Sequence, residues 1–352
     1  MTETKIYWEW GTTYDFFISL RVLHHPSRYG LRPSWAAGVR SRVPMEHREI
    51  LEQMQAVTFL PWRWIHDLPA PKDSATVLWV LGQIPPEQRL ITLLEASSAP
   101  PTATAVFKEV AARGAWGPED MDFIRDAFQP AKPSLRAKGL AALLELLISP
   151  TESGERYLAA LQAYQQVFFA EEERHLFPKL RAAVEKAQEL ARQQPLSKVI
   201  EKLSRGVRLG ADVNFPEWIF VPSYWISPLV YIRSLTAEKA IFVFGGRPAD
   251  ESLEPGALVP ADMLRTLKTL ADPTRLRILR YLSQESVSPA ELARRLRLRA
   301  PTVTHHLNVL RLAGLVYLTL GEQDERCYAA RLEAIDSLFA GLKDFLAENP
   351  EE

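Results

Sequence analysis

The sequence predicts an α+β protein dominated by helices, with a mainly helical N-terminal domain that ends in a small β-sheet. Two observations support this prediction. Helical spacing of apolar residues recurs through the first 200 residues, and three short runs rich in β-branched and aromatic residues follow near 217–245. After a polar, Pro- and Gly-containing stretch at 247–256, helical spacing returns and ends in two further short runs.

Composition narrows the class of protein. The chain has 352 residues, 47% hydrophobic and 24% charged, with a net charge of −1, which is typical of a soluble globular protein of two or three domains. Any charge that attracts a polyanion must therefore be local. No apolar run of about 18 residues occurs, and the N-terminus lacks the order of a signal peptide. We expect a cytoplasmic protein without a membrane segment.

The stretch at 247–256 predicts the domain boundary. It is acidic and has no hydrophobic periodicity, and all nine tryptophans lie upstream of it, at or before Trp225. We therefore predict an effector-sensing or interaction domain over residues 1–250 and a second domain over residues 257–352.

Helices and strands of the first domain are predicted from periodicity. Predicted helices cover residues 44–57, 74–84, 86–96, 118–128, 134–147 and 155–191, with Pro178 interrupting the last. The predicted strands are residues 217–221, 229–233 and 240–244.

The second domain carries an ordered set of helix signals. Asp272 before Pro273 and Ser288 before Pro289 are N-caps, and the third helix begins at Pro301. Its predicted end is a left-handed Gly314. The apolar stripes are Leu276, Leu279 and Leu282, then Leu292, Ala293 and Leu296, then Val303, Leu307 and Leu310. Residues 315–320 and 327–329 predict a hairpin around the loop 321–326.

The third helix predicts a polar exposed face. Burial of its apolar stripe turns Thr302, Thr304, His305 and Asn308 outward, and such side chains suit base-edge and phosphate contacts. Between residues 272 and 315 eight arginines stand against three acidic residues, a local net charge of +5. Charge concentrated in this way favours nucleic acid over a merely solvated helical surface.

These elements resemble the winged helix-turn-helix of the arsenic-repressor (ArsR/SmtB) family of transcription regulators. Leu-Ala-Asp-Pro-Thr-Arg-Leu-Arg-Ile-Leu at 270–279 matches the family's entry motif, and Thr-Val-Thr-His-His-Leu at 302–307 matches its recognition-helix motif. The resemblance implies a repressor in which Thr304 and His305 face DNA and Arg326 and Tyr328 lie on the returning wing strand. The wing here is acidic, with Glu322, Asp324 and Glu325, which weakens the expected phosphate contact of Arg326.

The predicted partner is a double-stranded DNA operator. The predicted DNA-binding residues are Arg294, Arg295, Arg299, Thr302, Thr304, His305, Asn308, Arg311 and Arg326. In relatives the first and last helices of this domain pair across a two-fold axis, which implies a homodimer. The apolar stripes expected to form that contact are Met263, Leu264, Leu267 and Leu270, then Leu332, Ile335, Leu338, Leu342 and Phe345.

We predict no metal, no cofactor and no enzymatic activity. Cys327 is the sole cysteine, and the adjacent His305 and His306 point about 100° apart on a helix. Glu171 and His175 stand one helical turn apart and are the alternative metal ligands, although such runs are usually solvated faces. Glycine-rich phosphate loops and nucleophile elbows are absent from the sequence.

The role of the first domain stays open at this point. Its dense tryptophans favour core packing and leave room for a pocket that takes a small apolar or aromatic effector, with the ligand-binding residues unknown. The alternatives are an interaction or oligomerisation module without a ligand, and an enzyme fused to a regulator. Ser19-Leu-Arg-Val-Leu23, Pro33-Ser-Trp35 and Val221-Pro-Ser223 are similar to short motifs in an N-terminal domain of unknown function that some family members carry.

Overall fold

The computed structural model describes residues 4–56, 60–128, 137–210, 213–248, 251–253, 259–321 and 326–347. It is rich in helix and holds two small sheets, which confirms the predicted α+β class. Two compact units form, the N-terminal unit (Met1–Val184, Phe215–Ile226 and Tyr231–Val243) and the C-terminal unit (Glu185–Asn214, Ser227–Val230 and Phe244–Glu352). Within the described ranges, no helix combines the length and the apolar character needed to cross a membrane.

Helices make up most of the N-terminal unit. They are α1 (Thr12–His24), α2 (Pro33–Arg40), α3 (Met45–Ala56), α4 (Trp62–Asp67), α5 (Ser74–Gln83), α6 (Pro86–Glu95), α7 (Pro101–Arg113), α8 (Pro118–Ala127), α9 (Ala137–Ile148), α10 (Pro150–Tyr164) and α11 (Ala170–Gln193). Hydrophobic periodicity did not predict α1, because its residues from Thr12 to Leu23 are all buried; only the motif Ser19-Leu-Arg-Val-Leu23 indicated a helix there. A helix buried on every side shows no amphipathic period.

The predicted break at Pro178 is wrong. Helix α11 runs through Pro178, and the irregular segment is instead a π-helical turn, Gln165–Phe169, that joins α10 to α11. Pro178 lies on the exposed side of α11, where the Arg174 carbonyl that loses its N–H donor is available to water. The buried Leu176 and Leu180 hold the opposite side against the core.

Two sheets are built from seven short strands in the described part of the chain: β1 (Lys5–Trp8), β2 (Val207–Leu209), β3 (Glu217–Ser223), β4 (Tyr231–Ser234), β5 (Lys239–Gly245), β6 (Val316–Leu320) and β7 (Arg326–Ala330). The first sheet has the order β1-β3-β5-β4, with β1 parallel to β3. The buried carboxylate of Asp15 ties α1 to the end of β3, since it accepts hydrogen bonds from the Ser223 hydroxyl and from the backbone N–H groups of Tyr224 and Trp225.

The C-terminal unit contains the predicted three-helix core and hairpin. Its remaining helices are α12 (Leu196–Leu203), α13 (Ala261–Leu270), α14 (Pro273–Leu282), α15 (Pro289–Leu296), α16 (Ala300–Leu312) and α17 (Leu332–Ala347). The predicted caps are present, because Asp272 accepts from the Arg275 N–H at 2.9 Å, Ser288 accepts from the Glu291 N–H at 3.3 Å, and Gly314 has φ +69°. The prediction that Leu276 belongs to the buried stripe is wrong, because Leu276 is 50% exposed. Ile278 is buried in the core instead.

Each of the two compact units is made of several segments of the chain, so the units do not correspond to a single boundary near residue 250. Strand β2 pairs in parallel with β6, so the second sheet has the order β2-β6-β7 and takes its first strand from far upstream of 247–256. The acidic wing residues Glu322, Asp324 and Glu325 lie outside the described residues, as do parts of the predicted linker.

Arg311 on α16 is buried, with 6% of its surface exposed. Its Nη2 donates to the carbonyl of Ser204 at 2.7 Å, and its Nη1 donates to the carbonyl of Arg205 at 3.4 Å. Burial lowers the pKa of Arg311 to about 10, so the guanidinium remains charged at neutral pH. This charge is held by backbone oxygen atoms of the turn between α12 and β2.

We predict that Arg311→Met lowers the free energy of unfolding of the C-terminal unit by about 2–4 kcal/mol, because two buried carbonyls lose a charged donor. Denaturant titration monitored by circular dichroism measures the loss. Arg280→Met, which changes an exposed arginine of α14, is the control and should cost no more than about 0.5 kcal/mol. Equal stability of the two variants would contradict the structural role of Arg311.

His24 makes the N-terminal unit sensitive to acid. Burial, with Arg40, His25 and Arg21 nearby, lowers the pKa of His24 from 6.5 to about 4. The folded state thus prefers neutral His24, and its stabilising contribution is complete above pH 6.5 and is lost as the pH falls toward 4.

We predict that His24→Asn flattens the pH dependence of stability between pH 6.5 and 4 by at most about 3 kcal/mol. Thermal unfolding of wild type and variant at stepped pH values measures it. His47→Asn, which changes a histidine of α3 and leaves His24 in place, should keep the wild-type slope. A His24→Asn profile parallel to that of wild type would refute the assignment.

Candidate nucleic-acid interface

Helix α16 has one buried and one exposed face. Val303, Leu307 and Leu310 are buried in the core of the C-terminal unit. Their spacing of four and three residues follows one side of an α-helix. The predicted contact residues Thr302, Thr304, His305 and Asn308 are all exposed.

The turn before α16 fixes its direction. Arg297, at the end of α15, adopts a left-handed conformation with φ 54°, and the Leu298 N–H donates to the Ala293 carbonyl at 3.0 Å. Leu298 packs against the core, and Arg299 occupies the N-cap position of α16 without a side-chain capping hydrogen bond. Helices α15 and α16 thereby form the helix-turn-helix pair, which leaves the polar face of α16 accessible.

Two of the predicted phosphate-binding arginines already have carboxylate partners. Arg294 contacts Glu291 at 2.6 Å, and Arg295 contacts Glu291 at 2.6 Å and Glu285 at 2.5 Å. Hydrogen bonds from Arg294 and Arg295 lower the pKa of Glu291. Exposed ion pairs of this kind contribute little free energy. A DNA phosphate that binds Arg294 or Arg295 must nevertheless displace the carboxylate of Glu291.

Other exposed arginines make no ion pair with any residue that the structure describes. They are Arg277 and Arg280 on α14, Arg297 in the turn, and Arg299 before α16. Arg299 belongs to the predicted DNA-binding set. Arg277, Arg280 and Arg297 contribute to the local positive charge but were not predicted as DNA contacts, although their exposure follows from the buried residues of the same helices.

Arg311 of α16 and Arg326 of β7, both predicted to contact DNA, lie in different surroundings. Arg311 does not reach the surface, so its predicted DNA contact is replaced by the buried role described above. Arg326 is exposed at the start of β7. Tyr328 is 5% exposed and exchanges two backbone hydrogen bonds with Val287, at 2.8 and 2.9 Å, so it belongs to the core.

His305 and His306 do not point to a common ligand. Their ring centroids are 5.8 Å apart with planes at 62°, and burial lowers the pKa of His306. Nowhere in the described ranges do three His, Cys, Asp or Glu side chains gather in a possible metal site. Glu171 and His175 are both exposed on α11. The absence of a bound metal stays a prediction.

Comparison with known proteins agrees with this geometry over a limited stretch. Residues 270–318, from the end of α13 into β6, match a family model described as a helix-turn-helix domain. The chain is also 42% identical over 50 residues to an uncharacterised helix-turn-helix-type transcriptional regulator of Methanocaldococcus jannaschii. That match covers 14% of this chain and 56% of the relative. The C-terminal unit therefore contains a helix-turn-helix domain.

We predict that Thr304→Ala and His305→Ala each weaken binding to a preferred duplex by about 1–3 kcal/mol, since each removes a polar group from the exposed face of α16. The duplex is obtained by selection from a random library with the wild-type chain, and affinity is measured by gel shift. Ser337→Ala removes an exposed hydroxyl of α17 that bonds only the Glu333 carbonyl in the described structure, and serves as control. An unchanged affinity of the double variant would exclude this face from DNA recognition.

We predict that Arg299→Ala weakens binding to all duplexes alike and reduces the slope of log affinity against log salt by about 0.9. Arg294→Ala should reduce the slope less, because Arg294 exchanges its contact with Glu291 for the phosphate. Affinities at four salt concentrations measure both slopes. Equal slopes for wild type and Arg299→Ala would rule out a phosphate contact of Arg299.

Proposed function

We propose that this chain is a sequence-specific DNA-binding transcriptional regulator that places α16 in the major groove. The observation that carries the proposal is the exposed set Thr302, Thr304, His305 and Asn308, opposite a face on which Val303, Leu307 and Leu310 are buried in the core. Unpaired arginines on α14, in the turn and before α16 supply positive charge on the same domain. The relative from Methanocaldococcus jannaschii is named as a transcriptional regulator, which supports the same function.

The type of regulator is assigned from the resemblance to the ArsR/SmtB family. The entry motif at 270–279 covers the turn into α14, and the motif at 302–307 lies on α16. We assign the chain a repressor function on that basis, with a double-stranded DNA operator as the partner. No metal takes part in this proposal.

A homodimer through α13 and α17 accompanies this function. Leu338 is the buried contact of α17, whereas Leu332, Phe339 and Leu346 are 52%, 49% and 72% exposed. These three residues are seven positions apart, so they form one apolar stripe along α17. Leu264 on the neighbouring α13 is exposed as well. A second copy covering this stripe gives the two recognition helices that half-sites about 34–36 Å apart require.

The N-terminal unit is the proposed sensor. The tryptophans with described ring contacts pack on other aromatic rings, such as Trp62 on Tyr231 at 5.0 Å and Trp35 on Trp225 at 6.2 Å. These contacts support the core-packing interpretation over an aromatic-lined effector pocket. The apolar cavity near Phe17, Leu94 and Tyr157 holds about 10 Å³, which is too small for an aromatic effector.

Selection of duplexes from a random library tests the regulator proposal. The full-length chain should enrich a sequence with two related half-sites, because a two-fold dimer reads two copies of one site. Failure to enrich any sequence, together with salt-insensitive or absent duplex binding, would refute DNA recognition.

We predict that Phe339→Glu converts the chain to a monomer and weakens binding to the selected duplex, since it puts a charge into the exposed apolar stripe of α17. Light scattering after size-exclusion chromatography measures the mass. Ser337→Glu adds the same charge to an exposed polar position of α17 and should leave the mass unchanged. A wild-type chain that is monomeric would disprove the dimer.

A further inference from the structure

A polar pocket lies at the C-terminal end of α1 in the N-terminal unit. Its volume is about 410 Å³, which falls in the range of about 300–1,000 Å³ that small-molecule sites occupy. The lining residues are His24, His25, Pro26, Ser27, Arg28, Pro33 and Arg40. The pocket thus joins the end of α1, the 3-10 turn Pro26–Tyr29 and both ends of α2.

The lining of this pocket is basic. Two arginines and two histidines contribute to it, and neither aspartate nor glutamate does. Within the described residues, Arg28 and Arg40 make no ion pair. The charges that act on the neighbouring His24 are those of Arg40, His25 and Arg21, which all lower its pKa. A concave surface with charge of one sign attracts ligands of the opposite sign.

Backbone contacts hold three of these side chains in place. His24 Nδ1 donates to the Leu20 carbonyl at 2.8 Å, His25 Nε2 donates to the Gln55 carbonyl at 2.8 Å, and Arg40 Nη1 donates to the Leu23 carbonyl. The side chains are therefore ordered before any ligand arrives, which lowers the entropic cost of binding.

Capping of α1 accounts for only part of this arrangement. It explains His24 and Arg40, which bond carbonyls in the last turns of the helix. It does not explain Arg28, which is exposed in the 3-10 turn and lines the same cavity. A second arginine beside Arg40 is the arrangement that recognises a carboxylate or a phosphate through charged hydrogen bonds.

We propose that this pocket binds a small oxyanion, the carboxylate or phosphate group of a metabolite, with Arg28 and Arg40 as its charge partners. The lining contains no phenylalanine, tyrosine or tryptophan, so the pocket favours a polar ligand over the apolar or aromatic effector that the tryptophan content first indicated. That the bound oxyanion acts as an effector of DNA binding rests on the function proposed above. The binding itself does not.

Calorimetric titration of the full-length chain tests the site, with inorganic phosphate and citrate as separate probes at constant ionic strength. At least one probe should bind saturably, and Arg28→Gln should weaken that binding about tenfold or more. Arg156→Gln removes the same charge from a partly exposed position on α10 outside the pocket and should leave affinity unchanged. Which probe binds more tightly distinguishes a carboxylate site from a phosphate site.

A second variant tests the site at its other arginine, with folding measured separately. Arg40→Gln should weaken binding as well, and its thermal unfolding must be compared with wild type because Arg40 also bonds the Leu23 carbonyl. Absence of saturable binding of both probes overturns the proposal. So does binding that Arg156→Gln weakens as strongly as Arg28→Gln.

Duplex affinity measured with and without the bound probe tests the effector role. The probe should change affinity for the selected duplex in wild type but not in Arg28→Gln. Saturable binding without any change in duplex affinity overturns the effector role and leaves the oxyanion site in place. A chain that binds the probe and no duplex at all overturns the regulator proposal instead.

Discussion

The C-terminal unit depends on one buried charge, the guanidinium of Arg311 at the end of α16. A buried arginine is tolerated only when its N–H groups are satisfied, and here the carbonyls of Ser204 and Arg205 satisfy it. Those carbonyls are themselves fixed. The Ser204 hydroxyl accepts from the Val207 N–H at 2.8 Å, and Arg205, with φ 55°, pairs with Asp262 of α13 at 2.6 Å. The turn therefore links α16 to α13.

The same turn also builds the wing sheet. Gly206, with φ +110°, accepts from the Leu318 N–H at 2.9 Å, and β2 then runs in parallel along β6. The Arg208 guanidinium lies 3.5 Å from the ring centroid of Tyr317, whose hydroxyl donates to Glu333 at the start of α17. Residues 204–209 thus contact α16, β6 and α13 directly, and reach α17 through Tyr317. A shift of this segment must change the support of all of them together.

Local sequence predicted the exposed polar face of α16 but not the burial of Arg311, for a physical reason. Thr304 and Asn308 are exposed because the residues that alternate with them, Val303 and Leu307, carry the apolar signal. Position 311 lies four residues after the buried Leu307 and three after the exposed Asn308, so spacing alone leaves it at the boundary between the two faces. Its burial is decided by a turn 107 residues upstream, and no pattern within α16 records that contact. Long-range pairing of β2 with β6 was missed for the same reason, since three residues give too short a period to detect.

In the N-terminal unit, by contrast, the residues of the short sequence motifs contact other side chains of the unit. Its short motifs mark scaffold contacts: Ser19 bonds the Tyr164 hydroxyl at 2.8 Å, Ser223 donates to Asp15, and Trp35 stacks on Trp225. These residues are held by neighbours and are not placed to select a ligand. Helix α1 has both kinds of surroundings. The hydrogen bonds of Asp15 fix its first turn, whereas its last turn lines the pocket to which Arg28 and Arg40 also contribute. An anion bound at the proposed site would therefore lie against the last turn of a helix whose other residues are packed in the core of the unit, and not against a surface loop alone.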